Sequence, residues 1–207
     1  MSGSTAAHHV VTRHAIALVG AVLVGLLVVM AQPAIAHEGD GAHGGFASGF
    51  SHPFGGLDHV VAMVAVGLWG AFLGAPAVWL LPVVFPVVMA FGGALGVAGI
   101  PVPSVEIGIA LSAVVLGALV AGAVKAPIWI AAIVVGAFAI FHGHAHGTEL
   151  PGNANALAYS AGFVVATGLL HLAGIALSSL KQWSAGEMLV RAGGAAISLA
   201  GLSFLLA

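Results

Sequence analysis

Two clusters of histidine and carboxylate residues stand out in this sequence, because the rest of the chain is almost wholly apolar. The first cluster, HPFGGLDH, runs from His52 to His59 and includes Asp58. The second, FHGHAHGTE, runs from Phe141 to Glu149. The chain has no cysteine, and imidazole and carboxylate groups without thiolate suit Ni(II), Co(II), Zn(II) or Mn(II) and disfavour Cu(I). Together the clusters predict binding of a divalent transition metal ion.

The spacing of the second cluster predicts which side chains act together. His142 and His146 are four residues apart, so on a helix both imidazoles lie on one face and can bind one ion. Glu149 continues that face if the helix extends past Gly147. His144 points elsewhere, where it orients a ligand from behind or lines the entrance. The alternative is a solvated helix end without a metal.

The first cluster combines ionisable groups with residues that loosen a helix. Ionisable residues in a membrane are costly and commonly functional. His59 and Met63 are four apart, and His52 lies two turns above His59. Pro53 and the glycines after it predict a loosened helix start that lets His52 turn inward. The alternative is an interfacial His52 with a helix-capping Asp58, and Met63 either adds a soft ligand or only packs.

Two further polar residues have less specific interpretations. Glu106 begins the third apolar stretch, and it is either a ligand or proton acceptor, or an ordinary acidic helix start. His171 lies deeper in the fifth stretch. It is either a second relay site for the ion or a polar contact between helices.

The elements that position these residues must be membrane helices. Hydrophobic residues make up 61% of the chain and charged residues only 5%, against about 25% charged in soluble domains. The 31 glycines predict helices that approach closely, because packing rather than hydrophobicity holds helices together in lipid. The net charge of -2 excludes an electrostatic nucleic-acid binder. The predicted fold is an all-α, polytopic membrane helical bundle in a lipid bilayer.

Six apolar stretches have about the 20 residues that a bilayer requires. They cover residues 55–73, 77–97, 104–124, 128–146, 155–177 and 187–206. Before them, Arg13 precedes an apolar run, and Ala34-Ile35-Ala36 resembles a cleavage site. Residues 1–36 are therefore predicted to be a signal peptide, with an uncleaved anchor as the alternative. Residues 37–51 are predicted to be a flexible, His- and Gly-rich periplasmic tail, and residues 52–207 the six-helix transmembrane domain.

The basic residues predict the orientation of the bundle. After residue 36 the only basic residues are Lys125, Lys181 and Arg191. If the mature chain starts outside, all three fall at the cytoplasmic ends of helices, as the positive-inside rule requires. Both mature termini are then periplasmic, in a bacterial inner membrane, and both histidine clusters lie toward the periplasm.

The two clusters resemble motifs of the HupE/UreJ family of hydrogenase and urease accessory nickel permeases. The similar segments are HPFGGLDHVVAMVAVGLWG and FHGHAHGTELP, with weaker support from EIGIALS and GLLHLAG. The resemblance implies a six-helix permease after a signal sequence. It also implies metal-handling roles for His52, Asp58, His59, His142, His146 and Glu149, and Glu106 matches the family's acidic position.

These observations predict an inner-membrane permease, not an enzyme, that imports Ni(II) or Co(II) from periplasm to cytoplasm for hydrogenase or urease maturation. No prosthetic group is expected. One alternative is a metal-binding accessory or sensor protein without net transport. Another is an intramembrane metalloenzyme, which is disfavoured because too few ligands converge for two irons. The sequence leaves open the choice between nickel and cobalt, the coupling ion and whether the chain forms a homo-oligomer.

Overall fold

The structure, a computed structural model, describes residues 45–150 and 155–206, and every regular element within these ranges is helical. The helices are α1 (Phe46–Ser51), α2 (Leu57–Leu73), α3 (Ala77–Val97), α4 (Val105–Ala121), α5 (Ile128–Thr148), α6 (Ala156–Ser178) and α7 (Gly186–Leu206). Short 3₁₀ turns cover His52–Phe54 and Ser179–Gln182. The predicted signal peptide, residues 1–36, and residues 37–44 of the predicted tail lie outside the described residues.

The predicted all-helical fold is confirmed, and α2 to α7 correspond to the six predicted stretches. Helices α3, α5 and α7, and α6 with its following turn, are long and apolar enough to cross a membrane. A fifth span results if α1 and α2 are counted together, although 85° separates their axes. Helix α4, at 17 residues, is apolar but shorter. The chain is therefore a multi-pass membrane protein with four to five candidate spans by length, and the count of six remains a prediction.

The bend between α1 and α2 is explained by the residues at it. Pro53 lies in the 3₁₀ turn, and Gly56 adopts an extended conformation immediately before α2. The loosened helix start expected from Pro53 and the glycines is thus present. Helix α2 begins at Leu57, two residues later than the predicted stretch, and Asp58 lies in its first turn.

Helix α1 differs from the prediction of a flexible tail over residues 37–51. Residues Phe46–Ser51 are helical and pack against α6. The contact is close because Gly49 lies against the backbone of Tyr159, while Gly162 lies against the backbone of Phe46. Two glycines, one on each helix, therefore let a short segment dock on the bundle.

Glycine contacts also join the helix that carries the second cluster to its neighbour. Helix α5 packs most extensively on α3, where Gly143 and Gly147 lie against the carbonyls of Met89 and Gly93. A Cβ at either glycine would collide with that backbone. The expectation that small residues bring the helices close together is confirmed.

The described cations lie at the end of the bundle opposite the histidine clusters. Lys181 donates to the carbonyl of Ala71, near the end of α2, and Arg191 donates to the carbonyl of Ala121, at the end of α4. Lys125 lies in the connection that follows α4. Because α2 begins and α5 ends at the other end, both clusters lie there.

Candidate metal centre

The outermost group of ligands consists of His52, His146 and Glu149. Each offers one ligand atom, and the three atoms lie within 4.8 Å of one another. His52 Nε2 donates to Glu149 Oε2 at 3.1 Å, and His146 Nδ1 lies 3.7 Å from the same oxygen. The 3₁₀ turn positions His52, and α5 persists to Thr148, so that Glu149 stays beside His146. We name these three residues the outer triad.

Two more imidazoles continue inward from the outer triad. The ring of His59 lies 4.5 Å from that of His146 and 4.8 Å from that of His142, measured between centroids. His146 therefore neighbours both the outer triad and the pair formed by His59 and His142, which we name the inner pair. The first turn of α2 and the last turns of α5 bring the two sequence clusters together at this point.

Hydrogen bonds fix both histidines of the inner pair. Asp58 Oδ1 accepts from the Nδ1 of His59 at 2.9 Å and from the backbone N–H of the same residue at 2.9 Å. Since an ionised carboxylate only accepts, the His59 proton lies on Nδ1 and its Nε2 is bare. His142 Nε2 lies 2.9 Å from the hydroxyl of Ser112 on α4.

Several buried nitrogens of this cluster lack a protein partner. Within the described residues they are His59 Nε2, His142 Nδ1 and both ring nitrogens of His146. A buried polar atom without a hydrogen-bond partner costs about 1–3 kcal/mol, so these four nitrogens together are costly unless water or an ion binds them. Bare imidazole nitrogens are also the atoms that bind Ni(II), Co(II) and Zn(II).

The cluster changes steadily from exposed to buried. The side chain of Glu149 is 56% exposed and that of His52 is 32% exposed. The side chains of His59 and His146 fall to 13% and 9%, and His142 is fully buried. The ligand groups therefore form a continuous series from the surface to the interior.

The carboxyl at the surface is kept ionised by its neighbours. The interaction with His146 is the largest influence that lowers the pKa of Glu149 below 4.5, while partial burial opposes it. Glu149 thus offers a negative charge at the exposed start of the series, where a hydrated cation would arrive.

The remaining predicted site residues do not join this cluster. His144 faces the opposite way and donates from Nε2 to the carbonyl of Ile100 at 2.9 Å. Glu106 is exposed in the first turn of α4, and Met63 is fully buried one turn beyond His59. His171 is buried beyond Phe85, whose ring centroid lies 5.4 Å from those of both His171 and His142.

Three residues beside the cluster were not among the predicted site residues, although Ser112 is the last residue of the segment EIGIALS. Ser112 contacts His142, and Tyr159 and Phe163 of α6 pack on the outer histidines, with Phe163 at 4.3 Å from His146 between centroids. The two aromatic residues are four apart, and Tyr159 is the only tyrosine of the chain. That spacing could have identified the pair. They also line a cleft of about 410 Å³ that reaches His146 between α3, α5 and α6.

Helices of this length and hydropathy, with an imidazole and carboxylate cluster at one end, define the class of multi-pass membrane proteins with a candidate metal site. The particular family is shown by comparison with known proteins: the chain belongs to the HupE/UreJ family, whose model, described as HupE / UreJ protein, matches residues 21–204. The chain is also 52% identical over 180 residues to Protein HupE of Rhizobium leguminosarum bv. viciae, which covers 86% of this chain and 94% of the relative. No solved structure matches the chain.

Membership of this family supports a general role in nickel or cobalt handling as a hydrogenase or urease accessory permease. The family is one of transporters and accessory proteins rather than of enzymes. The resemblance to this family that the two sequence motifs indicated is thereby confirmed.

Proposed function

We propose that this protein is an inner-membrane permease that imports Ni(II), or Co(II), from the periplasm to the cytoplasm. The observation that supports it best is the series of ligand groups from exposed Glu149 to buried His142, which includes bare ring nitrogens. A binding protein without transport needs only one closed site. A series that leads inward suits an ion that moves.

The proposed arrangement has six spans, with α4 as the shortest and α1 as a segment at the periplasmic surface. The separation of charges supports the orientation, because the three cations lie at one end of the bundle and the cluster at the other. With the cationic end in the cytoplasm, the outer triad faces the periplasm and both mature termini are periplasmic.

Capture begins at the outer triad. Glu149 attracts the hydrated cation, and His52 and His146 replace part of its water shell. Because His146 adjoins both groups of ligands, it can keep contact with the ion while the ion moves to the inner pair. Asp58 remains hydrogen-bonded behind His59 and offsets positive charge in a site of low polarity.

An ion that moves inward past His142 next reaches Phe85 and then His171. We propose that His171 serves as the relay on the inward side, because its imidazole is fully buried and lies beside Phe85 on the inward side of His142. The membrane potential favours cation entry by about 2.3 kcal/mol per charge per 100 mV, which is sufficient in principle to drive uptake. No prosthetic group or enzymatic step is part of the proposal.

The test is uptake of radioactive nickel by cells that lack their own nickel importers, with cobalt and zinc as competitors. The wild type is compared with Asp58→Ala and His146→Ala at matched amounts of protein in the membrane. Uptake by the wild type and background uptake by both variants are expected, because one variant leaves His59 unsupported and the other removes the shared ligand.

His144→Gln is the matched control, because this histidine lies on the same helix but faces Ile100 instead of the cluster. It is expected to keep most of the uptake. Nickel binding by a well-expressed wild type without uptake would refute the permease and favour a metal-binding accessory or sensor protein. Equal losses in His144→Gln and His146→Ala would refute the location of the path.

A further inference from the structure

Ser112 is a fully buried polar residue in the middle of α4, and its hydroxyl lies beside His142 of the inner pair. Its hydroxyl has two neighbours within hydrogen-bonding distance. The carbonyl oxygen of Ile109 lies at 2.6 Å, and Nε2 of His142 lies at 2.9 Å. The arrangement of protons between these three atoms decides which nitrogen of His142 is available to an ion.

The hydroxyl of Ser112 has one proton, and the shorter contact determines where it lies. The carbonyl of Ile109 can only accept, and two oxygens 2.6 Å apart repel each other unless a proton lies between them. Ser112 therefore donates to Ile109. The hydroxyl oxygen then has only lone pairs for His142, so that Nε2 of His142 carries the proton and donates to Ser112.

The proton on Nε2 leaves the other nitrogen of His142 bare, because a neutral imidazole has one donor and one acceptor nitrogen. That nitrogen, Nδ1, is buried and has no protein partner. Asp58 has the corresponding effect on His59, where it holds the proton on Nδ1 and leaves Nε2 bare. Each histidine of the inner pair thus has one hydrogen-bond acceptor that fixes its proton. The acceptor of His59 is Asp58, which belongs to the first sequence cluster, and the acceptor of His142 is Ser112, which belongs to neither cluster.

We propose that Ser112 is a positioning residue of the metal path, which holds His142 in the Nε2–H tautomer and presents bare Nδ1 to the ion. This role rests on the proposed function for its biological meaning, but the tautomer is a property of the metal-free protein. Ser112 itself makes no contact with the ion.

The first test is ¹⁵N NMR of histidine-labelled, metal-free protein in lipid, because protonated and bare ring nitrogens differ clearly in chemical shift. The signals of His142 are assigned by their loss in His142→Asn. In the wild type we expect a protonated, hydrogen-bonded Nε2 and a bare Nδ1. In Ser112→Ala we expect the hydrogen-bonded Nε2–H signal to disappear. A wild-type proton on Nδ1, or signals of His142 unchanged by Ser112→Ala, would overturn the proposal.

The second test is nickel affinity of the purified protein. Ser112→Ala is expected to weaken binding about 10-fold, the lower end of the range for loss of a group that orients a metal-binding histidine. Ser178→Ala is the matched control, because Ser178 is also buried and donates to the carbonyl three residues earlier, that of Ile175, at 2.7 Å. No change of more than about 2-fold is expected for the control.

A double-mutant cycle separates positioning from a general packing effect. If Ser112 acts through His142, Ser112→Ala changes affinity less than about 2-fold when His142 is already alanine, because the effects of coupled residues are not additive. An equal loss in both backgrounds would overturn the proposal. If the wild type shows the expected tautomer but takes up no nickel, the proposed transport fails while the role of Ser112 stands.

Discussion

The polar groups at the two ends of the bundle differ in whether the protein supplies their hydrogen-bond partners. At one end, the charged groups of Lys181 and Arg191 donate to carbonyls at the ends of α2 and α4. At the other end, the cluster leaves four buried ring nitrogens without a protein partner. Satisfied groups stabilise a fold, whereas unsatisfied ones cost about 1–3 kcal/mol each. The protein therefore satisfies the two cations by its own carbonyls, whereas it leaves these buried nitrogens of the histidine end unsatisfied.

The largest expected difference between the two ends is the side of the membrane that each end faces. The chain contains no cysteine, so that single cysteines can be introduced without removing any. Ser51 at the histidine end and Ser184 at the cationic end are both exposed serines. In intact cells a membrane-impermeant thiol reagent is expected to label Ser51→Cys fully and Ser184→Cys only after permeabilisation, because cationic ends face the cytoplasm.

The opposite labelling pattern would reverse the bundle and contradict import from the periplasm through the outer triad. Labelling of both cysteines in intact cells would contradict the separation of the two ends by a membrane. The cysteine-free wild type controls for non-specific reaction.

A smaller difference is expected when the same substitution is made at each end. Glu149→Gln removes the carboxylate of the outer triad, and nickel affinity is expected to fall up to about 100-fold, as for other losses around metal sites. Glu187→Gln is the matched control, because Glu187 is an exposed glutamate that lies 3.9 Å from Arg191 in α7. Isothermal titration calorimetry is expected to give the wild-type nickel affinity for Glu187→Gln. A similar loss of nickel affinity in both variants would contradict a site localised at the outer triad.

The smallest expected effect concerns the glycines that bring α5 against α3. Gly143→Ala places a Cβ against the Met89 carbonyl, and overpacking of this kind typically costs about 1–3 kcal/mol of unfolding free energy. Gly193 lies in α7 with open space around it, so Gly193→Ala is expected to change the unfolding free energy by less than about 1 kcal/mol. Unfolding in mixed micelles measures both, and equal stability would show that the contact tolerates a side chain.

The helices could be predicted from the sequence because their signals are local. The fifth stretch, predicted at residues 155–177, is observed as Ala156–Ser178, since an apolar run and the residues that end it are adjacent in the chain. The start of α2 was predicted less well. The prediction began this helix at residue 55, and only the structure shows the 3₁₀ turn and the extended Gly56 that precede Leu57.

The six principal residues of the cluster could be selected from the sequence because their chemistry is unusual in an apolar chain, and the structure brings all six together. Ser112 could not be selected from the sequence, because only the packing of α4 beside α5 brings its hydroxyl to His142. The docking of α1 was missed for the same reason. A Gly- and Ser-rich segment has little helical preference of its own, and contacts with α6 determine its structure.

The close contact between α5 and α3 also has a genetic consequence. Two glycines, Gly143 and Gly147, alternate with the ligand-bearing positions of α5, and each lies against backbone that cannot give way as a side chain would. Every single-base missense change in a glycine codon introduces a larger residue, so none is sterically neutral at these two positions. Random mutation of this gene is therefore expected to yield destabilised proteins at Gly143 and Gly147 whichever missense change occurs in the codon.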